Sequence, residues 1–286
     1  MARTVYLNGD YLPETEARIS VFDRGFVMGD AVYEVTSVLG GRLVDFPGHL
    51  ARLRRSLAEL AIDDPLTDDE YLAAHRELMA RDGIEEGMIY LQVSRGNGGD
   101  RDFVYPPPGT RPTVVMYGWS KPGLAANPAV EAGWRVVSLP DLRWHRRDIK
   151  TVQLLWPSMC KMEAKARGVD DAWLVEDGLV TEGTSNNAYI VRDGRIVTRS
   201  LSNDILHGIT RAAILRLAAA AQIEVEERSF TIAEAQAADE AFVTSASAFV
   251  MPVVEIDGVP LGDGRPGPVA RRLREIYLEE GLRSAI

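Results

Sequence analysis

The sequence predicts a two-domain protein of mixed α and β structure, and three observations carry that prediction. The chain has 286 residues, enough for roughly two domains with cores of their own. Strand pairs joined by glycine-bearing turns alternate irregularly with amphipathic helices, an order that favours mixed sheets over an all-parallel or all-helical architecture. Between Ser120 and Ala129 the chain reads Ser-Lys-Pro-Gly-Leu-Ala-Ala-Asn-Pro-Ala, without periodicity and with proline and glycine, as linkers do. The division is an N-terminal α/β domain over 1–120, a linker over 121–129 and a C-terminal α/β domain over 130–286.

Each element has a local cause. Thr4-Val5-Tyr6-Leu7 and Tyr11-Leu12 flank Asn8-Gly9, a pair that tolerates positive φ at both turn positions and so predicts a hairpin. Ala31–Val38 and Arg42–Phe46, joined through Gly40-Gly41, predict a second one. Leu50, Leu53, Leu57 and Leu60 recur at helical spacing. Thr67-Asp68-Asp69-Glu70 has capping-box form and opens a helix to about Arg81, stopped by Asp82-Gly83. Strands over Met88–Ser94 and Pro112–Tyr117 bracket a glycine- and proline-rich loop from Gly96 to Gly109, longer than most connections. After the linker come a strand at Trp134–Ser138, a helix over Gln153–Ala166 and strands at Asp171–Val175, Ala188–Val191 and Arg195–Thr198. A helix over Arg211–Ala221, strands at Ile223–Glu227, Ala241–Val243 and Val253–Ile256, and a helix over Pro268–Glu280 complete the order.

Composition narrows the classes. Hydrophobic residues make up 46% and charged ones 26%, which excludes collagen-like and disordered chains. Acidic side chains outnumber basic ones 42 to 32, a net charge of -10, so the basic footprint of a nucleic-acid binder is missing. The most apolar helical run, from Ala212 to Ala218, is broken by Arg216 and too short to span a bilayer. The lone Cys160 has no partner for an internal disulfide, and the start of the chain lacks the apolar stretch of a secretory signal, so a cytoplasmic setting is expected. His49, His75, His145 and His207 lack metal-ligand spacing, and no metal is expected.

Three segments can carry chemistry. Lys150, in Arg146-Arg147-Asp148-Ile149-Lys150-Thr151-Val152, is one of only four lysines and stands between apolar neighbours near two arginines, an environment that favours a nucleophilic amine. A solvated lysine paired with Asp148 is the plain alternative. The other lysines have easier solvated explanations, Lys161 and Lys165 on a helix and Lys121 in the linker. The run Val180 to Asn187 reads as a polar turn that can cradle an anion, with Glu182 as its ionisable outlier; a turn saturated by side-chain hydrogen bonds explains it equally simply. Leu206-His207-Gly208-Ile209-Thr210-Arg211 puts a glycine before a threonine at a helix start, which suits either phosphate or an ordinary Thr210 N-cap. Thr244-Ser245-Ala246-Ser247 is a further hydroxyl cluster, or simply a turn.

In order and spacing, Asp23-Arg24-Gly25, Gly29-Asp30-Ala31-Val32-Tyr33-Glu34, His49-Leu50-Ala51-Arg52-Leu53, Asp148-Ile149-Lys150, Thr181-Glu182-Gly183-Thr184-Ser185-Asn186, Gly208-Ile209-Thr210-Arg211 and Pro252 to Gly258 resemble the fold-type IV pyridoxal-phosphate transaminases, closest to their D-amino-acid branch. The resemblance spans nearly the whole chain. It implies a two-domain fold with the cofactor, pyridoxal 5'-phosphate, between the domains, and a homodimer whose sites are completed by the partner subunit. Lys150 would hold the cofactor and act as the catalytic acid and base. Glu182 would face the pyridine nitrogen and keep it protonated. Arg52, the backbone of Ile209 and Thr210, the Thr210 hydroxyl and Ser247 would bind the phosphate. Leu206 would pack on the ring.

For the substrate, the resemblance implies Tyr33 and an Arg-x-His pair on the long loop. Arg101 aligns with the arginine, Phe103 stands in place of the histidine, and one residue is inserted. The activity implied is transfer of an amino group between a D-amino acid and a 2-oxo acid, with (R)-primary amines as a further substrate class. A branched-chain L-amino-acid transaminase and an aminodeoxychorismate lyase are alternatives within the fold. A non-catalytic cofactor- or phosphate-binding protein is the alternative from another class.

Overall fold

The structure, a computed structural model, describes residues 3–286. The chain divides into two units: one takes the sequence up to Leu124 with Ile149–Gln153 and Ser284–Ile286, the other comprises Ala125–Asp148 and Leu154–Arg283.

In the first unit β1 (Thr4–Leu7) and β2 (Asp10–Pro13) form the expected hairpin, with Asn8 and Gly9 both at positive φ. A five-residue helix α1 (Arg24–Met28) follows, too short for periodicity to reveal; Asp23 caps it by accepting the Gly25 N–H, and Gly29 ends it in the left-handed region. Strands β3 (Ala31–Leu39) and β4 (Arg42–Leu43) turn through Gly40 and Gly41, both at positive φ. β4 stops at Leu43, short of the expected Phe46, because Asp45 is left-handed and α2 (Phe46–Glu59) begins there with a proline in its first turn. Helix α3 (Asp68–Asp82) carries the Thr67–Glu70 capping box and ends at left-handed Gly83. With β5 (Glu86–Ser94) and β6 (Thr113–Ser120), the sheet runs β2-β1-β6-β5-β3-β4, antiparallel throughout. Leu50, Leu53 and Leu57 of α2 and Tyr71 and Leu78 of α3 share one core with Val32, Val38, Ile89 and Leu91 of the sheet.

Lys150, which the sequence division assigns to the C-terminal domain, clusters instead with this first unit. The backbone decides it: Thr151 bridges Val32, the Tyr33 N–H donates to the Lys150 carbonyl at 3.0 Å, and the Val152 N–H donates to the Ala31 carbonyl at 3.1 Å. Ile149 joins the first unit's core.

The second unit begins with the one-turn helix α4 (Ala129–Ala132) and β7 (Trp134–Pro140). Helix α5 (Leu155–Ala166) starts two residues later than expected, since Gln153 belongs to the segment pinned to β3. Strands β8 (Asp171–Glu176), β9 (Leu179–Gly183), β10 (Asn187–Arg192) and β11 (Arg195–Thr198) follow. Then come α6 (Ile209–Ala220), β12 (Val225–Glu227), the short α7 (Ile232–Gln236), β13 (Glu240–Ser245), β14 (Phe249–Ile256), β15 (Val259–Pro260) and α8 (Pro268–Ser284). The sheet order is β12-β11-β10-β13-β14-β7-β8-β9, with β15 on β14. Only the β11–β12, β14–β7 and β7–β8 pairs are parallel. The first half of the expected polar turn is in fact β9, whose ladder with β8 uses the backbone of Val180 and Gly183 and sets Glu182 on a strand. Among the described residues no helix is long and apolar enough to cross a membrane.

Buried Glu240 accepts the Val269 and Ala270 N–H groups at the start of α8, at 3.0 Å each, and so caps that helix from a distant strand. Glu240→Ala is expected to lower stability by about 2 kcal/mol, measured by urea unfolding.

Candidate active site

In the first unit Tyr33 touches both ends of Lys150. Its N–H holds the lysine carbonyl, and its ring lies 4.2 Å from Nζ. The Lys150 N–H donates to Ser56 Oγ at 3.3 Å, one helical turn beyond Arg52 on α2. Asp148, the alternative partner for this lysine, is ion-paired with Arg146, and among the described residues Lys150 Nζ meets no carboxylate. The fold thus brings Lys150, Tyr33 and Arg52 to one region.

Arg52 is buried, and its Nε and Nη2 donate to the two oxygens of Glu34 at 2.7 Å each. His49 Nδ1 lies 2.8 Å from Glu34 Oε2. Burial raises the Glu34 carboxyl, but the Arg52 charge and the hydrogen bonds from Arg52 and His49 outweigh it and hold the group down to about 2. Glu34 is a site residue that sequence reasoning left without a role; its signal is a carboxylate at an inward strand position, the residue type least expected there.

In the second unit Glu182 is buried and has three donors: Arg143 Nη1 at 2.6 Å to Oε1, and Asn187 Nδ2 at 2.9 Å and the Leu206 N–H at 3.1 Å to Oε2. Burial pushes its carboxyl above the ordinary range, against the opposing pull of Arg143. Arg143 also grips Asp141 through Nε and Nη2, at 2.9 and 2.7 Å. Arg143 and Asp141 were not anticipated, since 39 residues separate Arg143 from Glu182 in sequence, whereas Asn187 lies in the singled-out run from Val180 to Asn187.

The Leu206 hydrogen bond joins Glu182 to the start of α6. That helix begins at Ile209, two residues earlier than expected, with Gly208 as its N-cap and no side-chain cap hydrogen bond, so Thr210 lies inside the first turn. A Cβ on Gly208 would meet Asn187 Oδ1 at 2.1 Å, so glycine is required where the chain passes Asn187. Ser247 lies in the β13–β14 turn, its Oγ 3.4 Å from Ser245 Oγ.

The long loop places Arg101 and Phe103 against each other, with the guanidinium 5.0 Å from the ring centre and Phe103 76% exposed. The Asp102 carboxylate accepts the Val104 N–H at 3.2 Å. Elsewhere the fold gathers His145, Glu176 and Asp204, ligand atoms within 4.8 Å, a grouping that sequence spacing conceals; the two carboxylates are ion-paired with Arg147 and Arg199.

Within the first unit stand an amine and a buried guanidinium, and within the second a buried carboxylate and a helix start; a guanidinium and a helix start each suit an anion. The chain matches the class IV amino-transferases over residues 31–256. It is 37% identical to D-alanine aminotransferase of Staphylococcus aureus (strain MSSA476) over 271 residues, 95% of each chain, and 37% identical to D-alanine aminotransferase of Bacillus licheniformis over 272 residues, 94% of each. A solved structure of branched-chain aminotransferase from the thermophilic archaeon Thermoproteus uzoniensis, with norvaline, superposes with a TM-score of 0.85 at 28% identity, covering 99% of this chain and 96% of that one. The chain belongs to the class IV aminotransferase family and has its fold-type IV architecture.

Glu34→Gln tests the ion pair by pH. A carboxyl held low contributes stability in full above 4.5 and loses it as pH falls through about 2. The variant is expected to be less stable by about 3 kcal/mol at neutral pH, with the gap closing as the solution is acidified, measured by urea unfolding across pH.

Proposed function

We propose that the enzyme moves an amino group between a D-amino acid and a 2-oxo acid, using pyridoxal 5'-phosphate. The observation that carries the chemistry is the Lys150 amine, held over Tyr33 without a carboxylate partner in a chain with four lysines. The D-preference draws on the D-alanine aminotransferases, whose similarity extends over nearly the full length.

When bound, the cofactor supplies an electron sink for the charge left at the substrate Cα. Lys150 would anchor it and then move the proton at Cα. Glu182, held from both sides by Arg143, Asn187 and Leu206, would present its carboxylate to the ring nitrogen and keep that atom protonated. Leu206, fixed by its hydrogen bond to Glu182, would pack on the ring. Arg52 would reach the phosphate while Glu34 holds its fork in plane, with the Ile209 and Thr210 N–H groups, the Thr210 hydroxyl and Ser247 completing the anion site.

Tyr33 and Arg101 would meet the substrate carboxylate. Phe103, an apolar ring in place of the expected histidine, extends the proposal to (R)-primary amines, which have no carboxylate to satisfy. Phe103, Val104 and Tyr105 are 76%, 72% and 54% exposed, a cluster of apolar surface that supports a homodimer in which this loop completes the partner's site. The buried lone Cys160 suits a cytoplasmic setting.

The test is a visible absorption spectrum of the cofactor-loaded protein. D-alanine is expected to bleach the visible band and shift it to the pyridoxamine form, with L-leucine far slower; (R)-1-phenylethylamine is expected to bleach it too, and Lys150→Ala is expected to lose catalytic turnover. No bleaching by D-alanine overturns the D-amino-acid reading, and no visible band after addition of pyridoxal phosphate overturns the transaminase reading.

A further inference from the structure

The Asp23-Arg24-Gly25 motif lies outside the cofactor and substrate groups described above, yet its side chains are buried and elaborately bonded. Arg24 Nε donates to Asp30 Oδ2 at 2.7 Å, while Nη1 reaches the carbonyls of Asp102 at 2.7 Å and Val104 at 3.3 Å. Those two carbonyls flank Phe103 and follow Arg101 directly. Asp30 is shared with Arg95, whose Nε and Nη2 donate to its two oxygens at 2.7 and 3.1 Å. The Tyr105 ring covers both guanidiniums, 3.7 Å from Arg95 and 5.7 Å from Arg24.

The same motif also holds the loop's root. The Arg24 N–H donates to the Gly96 carbonyl at 2.9 Å, Asp23 bridges Asn97, and Ser94 Oγ donates to Asp23 Oδ2 at 3.0 Å. Gly25 is confined to glycine, because a Cβ there would meet Ser94 Cβ at 2.7 Å. A loop rich in glycine would otherwise sample many conformations, and ordering it during binding would weaken substrate capture.

We propose that Arg24 is a positioning residue for substrate recognition, acting as a clasp that fixes the loop segment carrying Arg101 and Phe103. This rests on the reading that Arg101 meets the substrate carboxylate. A planar guanidinium serves a carboxylate and two carbonyls in one plane, whereas a lysine ammonium in its place reaches only part of that set. Removing Arg24 still leaves Asp30 ion-paired with Arg95, so that carboxylate keeps a partner.

The experiment compares holoenzyme of the parent, Arg24→Ala, Arg24→Lys and Arg101→Ala in D-alanine/2-oxoglutarate transamination, together with amide hydrogen exchange of the loop. Arg24→Ala is expected to raise the D-alanine KM about ten-fold with a much smaller change in kcat, and Arg24→Lys to fall between it and the parent. Exchange at residues 98–105 is expected to quicken in Arg24→Ala while β3 and β5 keep their protection, which separates a loosened loop from a damaged fold. If Arg24→Ala loses protection in β3 and β5, Arg24→Lys supplies the comparison. Parental KM and loop exchange in both Arg24 variants, alongside a raised KM in Arg101→Ala, overturn the clasp. A parental KM in Arg101→Ala overturns the carboxylate reading on which the proposal stands, whatever the Arg24 variants do.

Discussion

A buried carboxylate has to be met by donors, and Glu34 and Glu182 are two buried carboxylates around which proposed functional residues are arranged. Leaving such a group unpaired in a low-dielectric interior costs several kcal/mol, so its partners are fixed in position as firmly as the core itself. Glu34 fixes Arg52 and His49, Asp30 fixes Arg24 and Arg95, and Glu182 fixes Arg143, Asn187 and the Leu206 backbone. The guanidiniums follow because their planar forks answer both carboxylate oxygens at once.

The same constraint gives opposite electrostatic results at Glu34 and Glu182. At Glu34 the bidentate Arg52 pair and His49 overcome desolvation, and the carboxyl is firmly ionised. At Glu182 desolvation prevails over Arg143, whose charge is divided with Asp141. Asp141 is itself held low by Arg143, Thr181 and Arg147 against its own burial, so it draws on the positive charge available to Glu182. Arg143 is thus shared between two carboxylates, Asp141 and Glu182. Burial that Arg143 does not fully offset leaves Glu182 a carboxylate that a further positive partner would stabilise.

Legibility in the sequence followed the range of the interaction. The Asn8-Gly9 hairpin, the leucine repeat of α2 and the Thr67–Glu70 box are set by residues within a few positions of one another, and all three stand in the structure. Lys150, Glu182 and Gly208 stood out through the resemblance, because the motifs around them follow the order and spacing of the family along the chain. What stayed hidden depends on distance: Arg143 reaches Glu182 across 39 residues, Glu240 caps a helix 29 residues on, and Arg24 reaches a loop 78 residues away. Short elements escaped for another reason, since α1 and α7 have five residues each and offer barely more than one turn of periodicity. β9 was masked by its polar residues, which are buried through side-chain partners such as Thr181 with Asp141.

The placement of Lys150 shows how one strand can serve two clusters. Side chains alternate faces along β3, so Tyr33 and Glu34 point in opposite directions. Glu34 turns toward α2 and fixes Arg52; Tyr33 turns away and meets the lysine amine, while its backbone N–H donates to the lysine carbonyl. Ser56, on the helix that carries Arg52, takes the Lys150 N–H. The lysine backbone is thereby pinned by the same strand and helix that orient the arginine, and a shift of β3 by one residue would exchange the two faces and undo both arrangements together. The antiparallel ladder to β5, continuous from Ala31 to Leu39, is what prevents that slip.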